Sequence, residues 1–146
     1  IGIGFTGEHL PDIECEGVFV EALSVVVSDG HPGIGQQSWL QQPWVLLNSG
    51  FATRRYIDEY FRSQAAKPLI TMEANSISAI IEIVRNTQLA TILPSAIARV
   101  QTGLQAVPLS PPLPQRTAAL LSRKGGYRSA ACRAFVELVR AQPATG

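Results

Sequence analysis

Two consecutive segments of the chain are built alike, and that repetition restricts the fold more than any other feature. The first runs from Trp44-Val45-Leu46-Leu47 through Asn48-Ser49-Gly50 into a stretch carrying Tyr56, Ile57, Tyr60 and Phe61. The second runs from Leu69-Ile70-Thr71-Met72-Glu73 through Asn75-Ser76 into a stretch carrying Ile77, Ile80, Ile81 and Val84. Each begins with a short apolar run of strand character, and its later apolar residues gather on one side of a helix. Lys67-Pro68 closes the first helix, and Asn75 or Ser76 is a good N-cap for the second. Strands that alternate with helices predict an α/β protein with largely parallel sheets.

Further elements follow from similar signals. Ile1–Phe5 alternates apolar residues with glycine and reads as a strand running into a loop at Thr6-Gly7. A longer strand is expected over roughly Glu21 to Val27, stopped by Ser28-Asp29-Gly30 and Pro32. Leu89–Leu93 is another short strand, and Pro94 suits the first position of a short helix. Leu104–Ser110 and Gln115–Arg123 read as strands separated by the proline cluster Pro111–Pro114, with a turn at Lys124–Tyr127. The last helix, about Ser129 to Ala141, is expected to bury Ala130, Ala134, Phe135, Leu138 and Val139.

Several functions are disfavoured by what the chain contains. Its 146 residues make one ordinary domain or two small lobes, and 46% hydrophobic against 16% charged residues fits a packed core. A net charge of +1 with dispersed basic residues argues against gripping nucleic acid by charge. No apolar run is long enough to cross a bilayer, and no signal peptide is visible. Cys15 and Cys132 read as two buried thiols of a reducing cytoplasm rather than a disulfide. Neither they nor the isolated His9 and His31 offer metal spacing, so no metal or other cofactor is expected. There is no G-x-S-x-G, H-E-x-x-H or G-x-x-x-x-G-K, and His31 beside Pro32 in a turn is a poor general base. The chain reads as a binding protein, not an enzyme.

In open α/β sheets, ligands bind beyond the carboxyl ends of strands, where helix N-termini present amides to anions. The two such mouths are Ser49-Gly50-Phe51 and Asn75-Ser76. Phe51 either lies against a ligand or staples its own helix entrance. Arg54 and Arg55 either draw an anion in or, the preferred reading, form a solvated first turn. Arg123, Lys124, Arg128, Arg133 and Arg140 read as solvated surface.

The order of "FVEALSVVVSDGHP", "QQPWVLLNSGFATRRYIDEYF", "ANSISAIIEIV", "LATILPSAIA" and "LQAVPLSPPLPQRTAALLSRKGGYRSAACRAFVELV" resembles the effector-sensing module of LysR-type transcriptional regulators. Within that family it is most similar to the cyanate-responsive regulators, and the resemblance spans essentially the whole chain. It implies a two-lobed fold like the type 2 periplasmic binding proteins. Residues 1–27 and 103–146 would form the first lobe and 28–102 the second, with crossings near Ser28–Pro32 and Arg99–Gly103. A small anionic effector would lie in the cleft between lobes, touched by Phe5, Thr6, Ser49, Gly50, Phe51, Ala52, Thr53, Asn75 and Ser76. The resemblance further implies a cytoplasmic bacterial regulator that self-associates as a dimer or tetramer and meets DNA only through a helix-turn-helix domain absent from this chain. That domain and the opening strand–helix pairs of the first lobe are missing, so the chain reads as N-terminally truncated with its first lobe incomplete. Gly33 departs from the larger apolar residue expected after His-Pro. A solute-binding protein of a transport system is the alternative with the same architecture.

Overall fold

In the computed structural model, residues 1–7, 11–36 and 38–141 are described. In chain order the elements are β1 (Gly2–Phe5), β2 (Ile13–Glu21), β3 (Leu23–Ser28), β4 (Pro43–Leu47), α1 (Ala52–Ser63), β5 (Leu69–Ala74), α2 (Ile77–Asn86), β6 (Thr91–Pro94), α3 (Ser95–Val100), β7 (Leu104–Val107), β8 (Arg116–Arg123) and α4 (Ala130–Ala141). They divide into two compact units, one of Ile1–Ala22 with the chain from Pro114 onward, the other of Leu23–Leu113. Residues 23–27 and 103–113, placed in the first lobe by the family resemblance, lie in the second unit. There β3 pairs with both β6 and β7.

The second unit is built on the two repeated segments. β4 and β5 are parallel, with Leu47 opposite Ala74. A parallel bridge joins Trp44 to Ala90, and Val45 N–H donates to the Ala90 carbonyl at 2.9 Å. β6 therefore lies beside β4 and runs the same way. β3 is antiparallel to β6 and to β7, which gives the order β5-β4-β6-β3-β7. Side chains alternate between two cores, as the pleat requires. Val25, Val27, Trp44 and Leu46 meet Ile57, Tyr60 and Phe61 of α1 on one face. Val26, Val45, Leu47 and Leu93 meet Ile80, Ile81 and Val84 of α2, and Ala98 of α3, on the other. Burial on both faces is why these strands read as unbroken apolar runs.

The expectation of largely parallel sheets is corrected. Among the described residues, β4 with β5 and the bridge to Ala90 are parallel, and the other strand pairs are antiparallel. A parallel neighbour needs a covering crossover, which α1 supplies between β4 and β5. The remaining strands pair with partners that return from distant sequence in the opposite sense.

The first unit is a three-stranded antiparallel sheet, β1-β8-β2, with α4 against it. Its buried apolar residues, among those described, are Ala118, Ala119, Leu120 and Val136. The single strand expected over Glu21–Val27 is two strands, β2 and β3, separated at Ala22. β2 opens with the short alternation Ile13-Glu14-Cys15-Glu16, which breaks at Gly17-Val18-Phe19-Val20, where its register also slips between Gly17 and Phe19. The buried face assigned to α4 is also corrected. Ala130, Ala134, Phe135 and Leu138 are exposed, whereas Val136 is buried and Cys132 and Val139 half-buried. Val136 and Arg140 share a face, and Arg140 binds Glu16 of β2 through two hydrogen bonds of 2.7 and 2.6 Å. That pair helps fix which side of α4 meets the sheet.

Arg140 also holds the Glu16 carboxyl below the ordinary 4.5, chiefly by its hydrogen bond. A lowered carboxyl pKa adds stability above the unfolded value, lost as pH falls through the folded one. In an NMR titration, the Glu16 side-chain carboxyl should therefore titrate below the exposed glutamates, and Arg140→Gln should remove the difference. Equal midpoints in both proteins would contradict the pairing.

The two thiols are free, but Cys15 is exposed rather than buried, and Cys132 is half-buried. Pro94 closes β6 as the N-cap of α3 instead of opening the helix at its first position. At Gly33 a Cβ would sit 2.9 Å from Trp39 ring carbons and 3.0 Å from His31 Nδ1. The buried Trp39 side chain fills the space that a larger residue there would need.

Candidate functional site

The parallel pairing of β4 with β5 sets the two sequence-read mouths side by side. Asn48 N–H donates to the Ala74 carbonyl at 2.9 Å, just past the Leu47–Ala74 pair. Asn48 then organises the turn. Its side-chain oxygen accepts from Gly50 N–H at 3.1 Å and its carbonyl accepts from Phe51 N–H at 3.2 Å. This is the Asx geometry that makes asparagine a turn former. Ser49, Gly50 and Ala52 are exposed, while Phe51 and Thr53 are half-buried.

Phe51 is itself the N-cap of α1 and offers no side-chain acceptor. Its ring packs against the core on the α2 side, so it staples the helix entrance while part of it stays accessible. α2 begins differently. Ser76 Oγ accepts from Ala79 N–H at 3.4 Å, which makes Ser76, not Asn75, the cap; Asn75 is exposed.

The solvated first turn expected at Arg54-Arg55 holds only for Arg55. Arg54 is 7% exposed. Its Nε donates to Asp58 at 2.8 Å, and its Nη1 donates to the Leu47 carbonyl at 2.8 Å and to the Glu73 carboxylate. Burial alone would favour the neutral guanidine, but hydrogen bonds to Asp58 and Glu73 raise the pKa instead. Arg54 thus clamps the ends of β4 and β5 to the first turn of α1, and its charge is spent within the fold. The i, i+4 pairing with Asp58 was visible in the sequence; the contact with Glu73 required the strand pairing.

Phe5 and Thr6 belong to the other unit, at the end of β1. Thr6 N–H donates to the Thr117 carbonyl at 2.9 Å, and the Arg116 guanidinium carbon lies 3.8 Å from the Phe5 ring centroid. Arg116 is in turn paired with Glu21.

Sequence reasoning missed a third position on the edge that carries the two mouths. β6 runs with β4 and β5, so Pro94-Ser95 emerges at the same edge as Asn48 and Asn75. Ser95 Oγ lies 2.6 Å from Ser24 Oγ. The signal that could have found it was the third strand-turn-helix passage, Leu89 to Arg99.

His31 is no isolated turn residue. Its ring is buried, Nδ1 accepts from Gly33 N–H at 2.9 Å, and Nε2 is 2.8 Å from the Gln88 carbonyl. An accepting Nδ1 assigns the proton to Nε2, so both nitrogens are engaged and the ring is a structural brace. His9 lies outside the described residues. Among the described residues no cluster of His, Cys, Asp or Glu could hold a metal, and no helix is long and apolar enough to cross a membrane.

The family model described as the LysR substrate binding domain matches residues 1–144. The chain belongs to this family. It is a LysR-type effector-binding domain of a transcriptional regulator with the two-lobed, periplasmic-binding-protein-like fold that such domains share. Among solved structures it resembles the CcmR regulatory domain of Synechocystis PCC6803 in complex with 2-PG, at TM-score 0.82 and 16% identity, covering 95% of this chain and 71% of that one. It resembles the effector-binding domain of QuiR in complex with shikimate at TM-score 0.76 and 24% identity, with coverages of 94% and 68%. Full-length CbnR complexed with its target DNA matches at TM-score 0.71 and 17% identity, covering 95% of this chain and 51% of that one. At these identities the likeness is one of fold.

Proposed function

We propose that this LysR domain senses a small anionic metabolite at the carboxyl ends of β4 and β5. The observation that supports this most is the entrance of α1, where the Phe51 side chain supplies no cap to the first turn, while the Gly50 and Phe51 N–H groups are held by Asn48. Helix entrances of this kind favour anions. Ser49, Gly50, Phe51, Ala52, Thr53, Asn75 and Ser76 are the proposed contacts here; Phe5 and Thr6 are added on the family resemblance. The bound domain would differ in free energy from the free one, and that difference would bias a DNA-binding domain in a full-length, self-associating, cytoplasmic regulator. The domain itself performs no chemistry in this reading, and it needs no cofactor. The similarity to cyanate-responsive regulators makes cyanate the first effector to try. Nothing in the unit favours the transport reading over the regulatory one.

Calorimetry tests the placement. Cyanate should give saturable heat, with shikimate titrated alongside. Phe51→Ala should weaken binding about tenfold, or about 1.4 kcal/mol, while the fold, followed by circular dichroism, stays intact. Unchanged affinity in that variant would remove Phe51 from the site.

A further inference from the structure

His31 is a buried titratable side chain that the effector reading leaves unused. It lies in the loop that joins β3 to β4, where its N–H turns back to the Ser28 carbonyl at 3.1 Å. Its Nδ1 accepts from Gly33 N–H at 2.9 Å, and its Nε2 is 2.8 Å from the Gln88 carbonyl. Trp39, also buried, tilts over the ring at 39° with centroids 5.5 Å apart. The rest of the loop bonds within itself. Ile34 N–H donates to the His31 carbonyl, Gln36 N–H to the Gly33 carbonyl, and the Gln42 amide to that of Gln36. Among the described residues, the His31–Gln88 bond is therefore the tie between this loop and the segment that leads into β6.

These two contacts suit one protonation state. With its proton on Nε2 the ring donates to Gln88 and accepts from Gly33. A second proton, on Nδ1, would face the Gly33 N–H, donor against donor, in a buried place where neither finds water. The closed loop binds that proton only by giving up the Gly33 bond. An opened loop binds it without that cost, so acid favours the open form. The ring meets the Gly33 and Gln88 backbone groups and the Trp39 indole, none of which titrates. Ionisable groups on the neighbouring elements are turned outward or engaged elsewhere. Asp29, in the same turn, is exposed. Arg85, near the end of α2, is bonded to Glu82, Gln101 and the Thr102 carbonyl. Tyr60 of α1, which shares a core with Trp39, donates its hydroxyl to the Pro111 carbonyl. We propose that His31 is a proton-sensitive latch: neutral, it holds the β3–β4 loop against Gln88, and protonated, it releases that loop. The inference goes beyond the effector reading, since no residue of the latch belongs to the site at the ends of β4 and β5.

Amide hydrogen exchange on the ¹⁵N-labelled chain, expressed as protection factors, tests this from about pH 7.5 down to about pH 5, where histidines change charge. Protection at the Gly33, Ile34 and Gln36 amides should fall about tenfold per pH unit once His31 takes up its proton, the dependence of one linked proton. The fall should follow the His31 ring resonances, while Val45 and Leu46 of β4 keep their protection. His31→Asn still offers Gly33 N–H an acceptor, in an Asx turn, and does not titrate in this range. Its loop should show no dependence on pH. Constant protection in the parent across the range would overturn the latch. So would a fall shared equally by Val45 and Leu46, which reports acid unfolding of the whole unit, or a fall of the same size in His31→Asn. Should His31→Asn fail to fold, the parent decides alone: loop amides that do not follow the His31 ring would overturn the proposal.

Discussion

Replacing Trp44 with alanine is expected to cost about 3–5 kcal/mol, more than any other single change considered for this domain. Trp44 is fully buried in the core on the α1 side, edge-on to Phe61 with ring centroids 5.5 Å apart. It also stands where β4 meets β5 and the bridge to Ala90. Truncation opens a cavity beneath α1 at the junction that holds the parallel strands together. Trp44→Phe should cost much less, about 1–2 kcal/mol. The indole N–H of Trp44 is buried without a hydrogen-bond partner, and removing an unsatisfied donor offsets part of the lost packing. Urea unfolding followed by circular dichroism reads both values. An alanine variant within about 1 kcal/mol of the parent, or a phenylalanine variant as damaged as alanine, would contradict the packing described.

Arg54→Ala is expected to cost about 2–3 kcal/mol, while its neighbour Arg55→Ala stays within about 0.5 kcal/mol. The Arg54 side chain is 9% exposed, but those of Asp58 and Glu73 are 36% and 48% exposed. Their charges are therefore screened, and the loss falls below that of a fully buried pair. What remains is the Leu47 carbonyl, deprived of its donor, and two carboxylates that no longer share a cation. Adding Glu73→Gln to Arg54→Ala should recover part of the loss, because it removes one of those charges. Non-additivity of that sign is what a double-mutant cycle reports for groups in one network. Equal effects for Arg54→Ala and Arg55→Ala would restore the solvated-turn reading.

The contrast between those two arginines shows what was legible in the sequence. The strands and helices of the second unit stood out because apolar runs such as Trp44–Leu47 are bounded by turn residues and lead into 3.6-residue periodicity. Capping chemistry left two candidates, and the serine hydroxyl proved to be the acceptor. Strand direction was not legible, since it depends on which partner returns, as β8 does to both β1 and β2. β2 carried only a four-residue alternation, Ile13 to Glu16, too short to mark a strand of its length. α4 carries two apolar stripes, and the choice between them follows a glutamate 124 residues away. The mouths at Ser49–Phe51 and Asn75-Ser76 could be placed at strand ends from local pattern alone. Ser24 and Ser95, 71 residues apart, could not be paired in advance.

The location of the bound effector tests the central proposition more directly than any variant. A crystal structure of the chain grown with saturating cyanate should show the anion within hydrogen-bond distance of the backbone amides at Ala52-Thr53, close to Ser76, with the Phe51 ring against it. Cyanate absent from those amides, or seated elsewhere while the turn at Asn48–Phe51 stays closed on itself, would contradict the account.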